Sequence, residues 1–285
     1  MPKPPLPRAT SDQLIADPDG GLPRLLEIMA RLRDPETGCP WDIAHTFATI
    51  APYTIEEAYE VADAIDRAAW PELEGELGDL LLQTVYHAQI GAEVGLFDFD
   101  SIVRLIADKM VARHPHVFGS EHRNKTPAQQ TADWEAIKAA ERGPARVLDG
   151  VAHGLPALMR AVKLQNRAAR VGFDWPQTTQ VLDKMLEEAR ELVEARDTMT
   201  ATEQTEEFGD LLFVMANLAR HLDIDPEAAL RGANQKFTHR FGHIEDALAA
   251  KGRTPAQSDL AEMDALWDDA KAQEKMAKAS PLGRH

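Results

Sequence analysis

Acidic side chains at helical spacing are the groups in this 285-residue chain best suited to chemistry. Glu187, Glu188 and Glu191 are followed by Glu207 and Asp210. Positions three apart lie about 60° from each other around a helix, so Glu188/Glu191 and Glu207/Asp210 each form a same-face pair. If the two helices pack antiparallel, four carboxylates converge at the edge of a core. Two unit charges about 4 Å apart repel by roughly 4 kcal/mol at an effective dielectric of about 20, so such a convergence calls for a cation. Every donor is an oxygen, with no cysteine or histidine in the set, which favours magnesium, with manganese as a substitute, over zinc.

A lone Glu-Glu-x-x-Glu is usually an ordinary solvated helix face. Here the whole set recurs. Glu56-Glu57-x-x-Glu60 followed by Glu76-x-Gly78-Asp79 answers Glu187-Glu188-x-x-Glu191 followed by Glu207-x-Gly209-Asp210, with 19 residues from Glu57 to Glu76 and again from Glu188 to Glu207. Glu57, Glu60, Glu76 and Asp79 thus mark a second or vestigial site. Gly78 and Gly209, each costing about 1 kcal/mol against alanine inside a helix, predict a close backbone approach.

The repeat extends along the chain. Gly21-Leu22-Pro23 recurs as Gly154-Leu155-Pro156, and Trp134, Lys138 and Glu141 recur as Trp267, Lys271 and Glu274, both 133 residues on. Gly38-x-x-Trp41 answers Gly172-x-x-Trp175, and Lys109-x-x-x-Arg113 answers Lys236-x-x-x-Arg240. These matches predict a flexible tail over 1–20, a helical domain over 21–141, a linker over 142–153 and a second helical domain over 154–285. Apolar residues recur at a helical period. Val181, Leu182, Met185, Leu186, Ala189, Leu192 and Val193 form one stripe, and Phe208, Leu211, Leu212, Met215 and Leu218 another. Alternating strand patterns are scarce and aromatics make up only 6% of the chain. The fold class is therefore all-α, with each unit a bundle of about four helices. Pro52 is suited to a helix start, so the first acidic helix is expected to begin late.

A formal charge of −16 disfavours binding to nucleic acid polymers and to anionic membrane surfaces. The only cysteine, Cys39, supports neither a disulfide framework nor a thiolate zinc site, which fits a cytoplasmic setting. No apolar run is long enough to cross a membrane, and the N-terminus has no signal-peptide core. A di-iron bundle is disfavoured because its Glu-x-x-His motif is missing from the acidic helices.

Taken together, Glu-Glu-x-x-Glu and Glu-x-Gly-Asp on consecutive helices resemble the MazG family of nucleoside triphosphate pyrophosphohydrolases. Gly-Cys-Pro-Trp-Asp at 38–42, the run from Thr46 to Tyr53, Arg-His-Pro-His-Val-Phe at 113–118 and Val-Gly-Phe-Asp-Trp at 171–175 look like its two-domain bacterial members. The resemblance covers roughly Gly21 to Glu274. It implies a dimeric, magnesium-dependent enzyme that cleaves nucleoside triphosphates between the α and β phosphates, with the C-terminal unit active. The expected metal ligands are then Glu188, Glu191, Glu207 and Asp210, with Glu187 placed to orient or deprotonate water. Lys184, Lys236 and Arg240 are expected on the phosphates and Trp267 against the base. A broad base preference in a house-cleaning role is the leading expectation. The competitors are a deoxyuridine-nucleotide or phosphoribosyl-nucleotide pyrophosphatase and a nucleotide-sensing scaffold. The two halves differ at Lys184, whose counterpart is Tyr53. The chain departs from the family pattern at Glu203, in a stretch where relatives are expected to carry a lysine.

Overall fold

The computed structural model describes residues 6–120, 124–127, 129–130, 133–134, 137 and 146–279, with side chains at 195–198 and 277–279 outside the description. The described residues contain helices and no strand. The chain divides into two compact units, Met1–Arg142 and Gly143–His285.

The first unit contains α1 (Arg8–Ala16), α2 (Gly21–Leu32), α3 (Pro40–Ala44), α4 (Phe47–Asp66), α5 (Trp70–Glu93), α6 (Phe99–Arg113) and the single turn α7 (Pro115–Phe118). Its core is built from Met29, Ile50, Val85, Tyr86 and Ile90, with Leu25, Leu26, Phe47, Leu82 and Phe99 packed around them. Two expectations are corrected here. Residues 8–16, expected within a flexible tail, form a helix whose Ser11 is buried and accepts a hydrogen bond from Arg31 at 2.9 Å. The first acidic helix does not start late. Thr46 caps it, its hydroxyl accepting from the Thr49 amide, so α4 begins at Phe47 and carries Pro52 in its second turn. A good cap outweighs the one backbone hydrogen bond that an early proline removes.

The second unit contains α8 (Ala157–Ala169), α9 (Thr178–Thr198), α10 (Ala201–His221), α11 (Pro226–Ala249), a 3₁₀ turn (Pro255–Gln257) and α12 (Leu260–Ala279). In each unit the acidic helices pack against each other, α4 on α5 and α9 on α10. The second pair is joined only by Met199 and Thr200, and so short a connection makes it an antiparallel hairpin. Helix α10 starts in a reciprocal capping box between Thr200 and Glu203. Glu203 thus fills a capping role in the place where a lysine was expected, and these amide bonds hold its carboxyl below the usual range.

Both acidic hairpins leave much of their apolar surface uncovered. Of the two expected stripes, Val181 is fully buried, yet Leu182, Leu186, Val193, Phe208, Leu212 and Met215 are exposed. The first unit repeats this at the equivalent positions Ile55, Leu77 and Leu81. The close approach expected at Gly78 and Gly209 is absent, for a Cβ at either would meet nothing within 4 Å. Of the expected linker, residues 142–145 lie outside the described set; from Arg146 the chain turns and is held to α8 through Arg167, which donates to the carbonyls of Asp149 and Gly150.

Candidate metal and nucleotide site

In the second unit, one carboxylate oxygen each from Glu188 on α9 and Glu207 and Asp210 on α10 lie within 4.8 Å of one another. The first unit repeats the arrangement with Glu57 on α4 and Glu76 and Asp79 on α5, within the same limit. The spacing of 19 residues brings this about. It places the middle of the first helix of each hairpin opposite the second and third turns of the next, and the i, i+3 step from Glu207 to Asp210 aims both at the facing helix. Glu188 is buried, Glu207 half-buried and Asp210 exposed, so the cluster opens to solvent on one side.

The remaining predicted residues fall around this set. Glu191 and Glu60 lie outside the 4.8 Å groups, each three residues on and about 4.5 Å further along its helix. Glu191 still feels the cluster: burial, then the charges of Glu188, Glu187 and Glu207, push its carboxyl upward, against the opposing pull of Lys184. Glu60 stands beside both Glu57 and Glu76, and each of these is raised first by burial and then by its acidic neighbours. Glu187 is exposed, and its Oε1 accepts from Lys184 Nζ at 2.8 Å. Lys184 also sits 2.7 Å from Glu188 Oε1, and the two carboxylates hold its ammonium well above its ordinary range.

Two of the other candidates have partners within the chain. Arg240 forms a bidentate pair with Glu274, at 3.1 and 2.7 Å, and its guanidinium lies 5.3 Å from the Trp267 ring centroid. Trp267 is half-buried, and its ring centroid is 5.4 Å from that of Phe237. The first unit shows the same pairing, with Arg113 5.3 Å from Trp134. The repeated Arg and Trp therefore meet each other across two helices. Lys236 is exposed. The repeat partners Lys138 and Glu141 lie outside the described residues.

Two polar networks join residues that spacing along the chain did not pair. Asp174, in the Val-Gly-Phe-Asp-Trp stretch, accepts from Arg220 and lies 3.2 Å from His221 Nε2, which ties the α8–α9 loop to the end of α10. Gly172, at φ +86°, makes the turn that presents it. In the first unit the buried Arg33 binds Glu93 at 2.7 Å and donates to the carbonyls of Asp42 and His45, which fixes the short helix α3 and its end. The motif marked Asp174, but its partner lies 46 residues away on another element.

A carboxylate-only donor set suits a hard divalent cation. Oxygens that share a magnesium ion at about 2.1 Å lie about 3 to 4.2 Å apart, so a set held within 4.8 Å reaches that geometry by closing no pair by more than about 2 Å. The chain also has close relatives. It is 50% identical over 256 residues to a nucleoside triphosphate pyrophosphohydrolase of Escherichia coli, covering 88% of this chain and 97% of that protein. The chain belongs to the MazG family. Residues 45–118 match the MazG nucleotide pyrophosphohydrolase domain, and residues 155–237 match the phosphoribosyl-ATP pyrophosphohydrolase family. A nucleoside triphosphate pyrophosphohydrolase/pyrophosphatase MazG of Thermotoga maritima is 42% identical, with 87% of this chain and 94% of that protein covered. A Mycolicibacterium smegmatis nucleoside triphosphate pyrophosphohydrolase is 28% identical over 92% of this chain. Both family matches include an acidic hairpin, α4–α5 in one and α9–α10 in the other.

Proposed function

We propose that this MazG-family chain hydrolyses nucleoside triphosphates between the α and β phosphates, giving a monophosphate and pyrophosphate, with Mg²⁺ or Mn²⁺ held by Glu188, Glu207 and Asp210 and by Glu191 after side-chain closure. The observation that carries the reading is the convergence of three carboxylates within 4.8 Å midway along a helical hairpin, repeated in both units. A triphosphate approaches a protein of charge −16 only if positive charge mediates. When bound, a divalent ion supplies that charge against the phosphoryl oxygens and lowers the pKa of water. Glu187, exposed beside the cluster, is the candidate to orient the water, and Lys184 and Lys236 are the candidate phosphate contacts. Arg240 reaches a phosphate only by exchanging Glu274 for it, and Trp267, half-buried beside Phe237 and Arg240, is the candidate to stack on a base.

Pyrophosphate release measured across GTP and the dNTPs with Mg²⁺ tests this. Turnover is expected, with loss in excess chelator. Release of single phosphates, or undiminished turnover in chelator, refutes it. Glu188→Gln is expected to abolish turnover and Glu57→Gln to leave most of it, in keeping with an active C-terminal unit. A broad base preference and a cytoplasmic house-cleaning role complete the reading. No described helix is long and apolar enough to cross a membrane, in keeping with that setting. Matching of 155–237 to the phosphoribosyl-ATP pyrophosphohydrolase family favours a second reading, a narrower phosphoribosyl-nucleotide substrate. A higher kcat/KM on phosphoribosyl-ATP than on every common triphosphate would establish it.

The homodimer belongs to the same proposal. Ile55, Leu77 and Leu81 in one unit and Leu186, Phe208 and Leu212 in the other leave equivalent apolar faces open beside the carboxylates, and a second copy would cover them. Sedimentation at twice 31.5 kDa is expected, and a species of 31.5 kDa alone would refute it.

A further inference from the structure

The two carboxylate clusters carry the same acids, but the residue one helical turn ahead of each is different. In the C-terminal unit it is Lys184, whose Nζ lies 2.7 Å from Glu188 Oε1 and 2.8 Å from Glu187 Oε1. In the N-terminal unit the register holds Tyr53, a neutral phenol whose ring packs edge-on against Trp41 and His45. Glu57 there has Asp79, Glu60 and Glu56 as its charged neighbours, and Glu76 has Glu60, Asp79 and Glu72, all acidic. One cluster thus contains its own cation, in contact with its most buried acid, while the other has only acidic charged groups as its leading neighbours among the described residues.

We propose that Lys184 is a built-in counterion that competes with a divalent cation for the C-terminal carboxylates, so that the N-terminal cluster binds the bare ion more tightly. The inference rests on reading both clusters as divalent-cation sites. An ion that reaches Glu188 must displace the ammonium or sit beside it, and an ammonium that stays about 6 Å from a doubly charged ion costs about tenfold in affinity even in bulk water. Displacement is also opposed by the charge-assisted bonds that Lys184 makes to Glu187 and Glu188. A polyphosphate changes the balance, because its oxygens offer the ammonium a new anionic partner. The C-terminal unit then takes up its ion chiefly together with nucleotide, whereas the N-terminal unit takes it up alone. The device that couples ion to substrate is one lysine, placed a turn before the acids of only one unit.

Mn²⁺ is the probe, its free concentration followed by electron paramagnetic resonance on the full-length chain. Asp79→Asn leaves the C-terminal cluster intact and Asp210→Asn leaves the N-terminal one. The Asp210→Asn protein is expected to bind Mn²⁺ about tenfold more tightly than the Asp79→Asn protein. Adding Lys184→Met to Asp79→Asn should close that gap, and adding Tyr53→Lys to Asp210→Asn should weaken its site by a similar factor. A non-hydrolysable α,β-methylene triphosphate should tighten Mn²⁺ binding in Asp79→Asn. Far-UV circular dichroism checks that each variant keeps its helices, and the two added substitutions read the same effect in opposite units. Equal affinities in the parent variants, or a gap that survives Lys184→Met and is not created by Tyr53→Lys, would overturn the inference while leaving the metal sites standing. Failure of both clusters to take up Mn²⁺, with or without nucleotide, would overturn the metal reading itself.

Discussion

Replacing Glu207 with glutamine should stabilise the metal-free protein and yet remove its activity. Glu207 lies within 4.8 Å of both Glu188 and Asp210. One unit-charge repulsion at that distance is about 3.5 kcal/mol at an effective dielectric of 20 and about 0.9 kcal/mol in bulk water. Asp210 is exposed and Glu207 half-buried, so the solvated limit is nearer the truth, and relief of two pairs amounts to about 1–2 kcal/mol. For a unit of this size that is a rise of roughly 3–8 °C in the melting temperature measured in chelator. Mg²⁺ at a concentration high enough to fill the C-terminal cluster without nucleotide, against the competing Lys184, should reverse the order. An ion at about 100 times its dissociation constant stabilises the wild type by about 2.7 kcal/mol, and the variant loses most of this along with pyrophosphate release. The assay is thermal unfolding followed by circular dichroism in chelator and in Mg²⁺, with turnover measured alongside. A variant less stable than wild type in chelator, or one that keeps the full Mg²⁺-induced shift, would refute the reasoning.

Arg33→Met removes a buried guanidinium that satisfies Glu93 and the carbonyls of Asp42 and His45, and the uncompensated partners should cost the first unit about 3–5 kcal/mol in urea unfolding. Retention of the wild-type urea midpoint would show that α3 and its end are held by other means. Glu262, bonded to Ser258, Lys251 and Arg253, has its carboxyl lowered to about 2 from 4.5. A depressed carboxylate contributes stability that is present above its unfolded pKa and lost as pH falls through the folded one. Glu262→Gln should therefore lower the melting temperature at neutral pH, and the difference from wild type should shrink between pH 4.5 and about 2. A difference constant across that range would rule out the ionised contact. Because these bonds brace the turn between α11 and α12, they also bear on the setting of Trp267.

Much of this protein is determined locally, and local features are readable without coordinates. Helical periodicity dictated an all-α fold, since a period near 3.6 is a property of neighbours three and four residues apart. Duplication set the number of units and the pairing of Glu188 with Glu207 and of Glu57 with Glu76, because a fixed separation across a short hairpin leaves little freedom in which turns face each other. Other features depended on groups distant in the chain. Pro52 read as a helix start until the Thr46 cap proved to lie further upstream. Gly78 and Gly209 read as contact points, yet each faces open space. Only the folded chain paired Arg240 with Glu274 and Trp267, Asp174 with Arg220, and Lys184 with Glu187 and Glu188. A long basic side chain reaches several anions, and which one it takes is decided by three-dimensional proximity and desolvation, quantities that residue spacing along one helix does not contain.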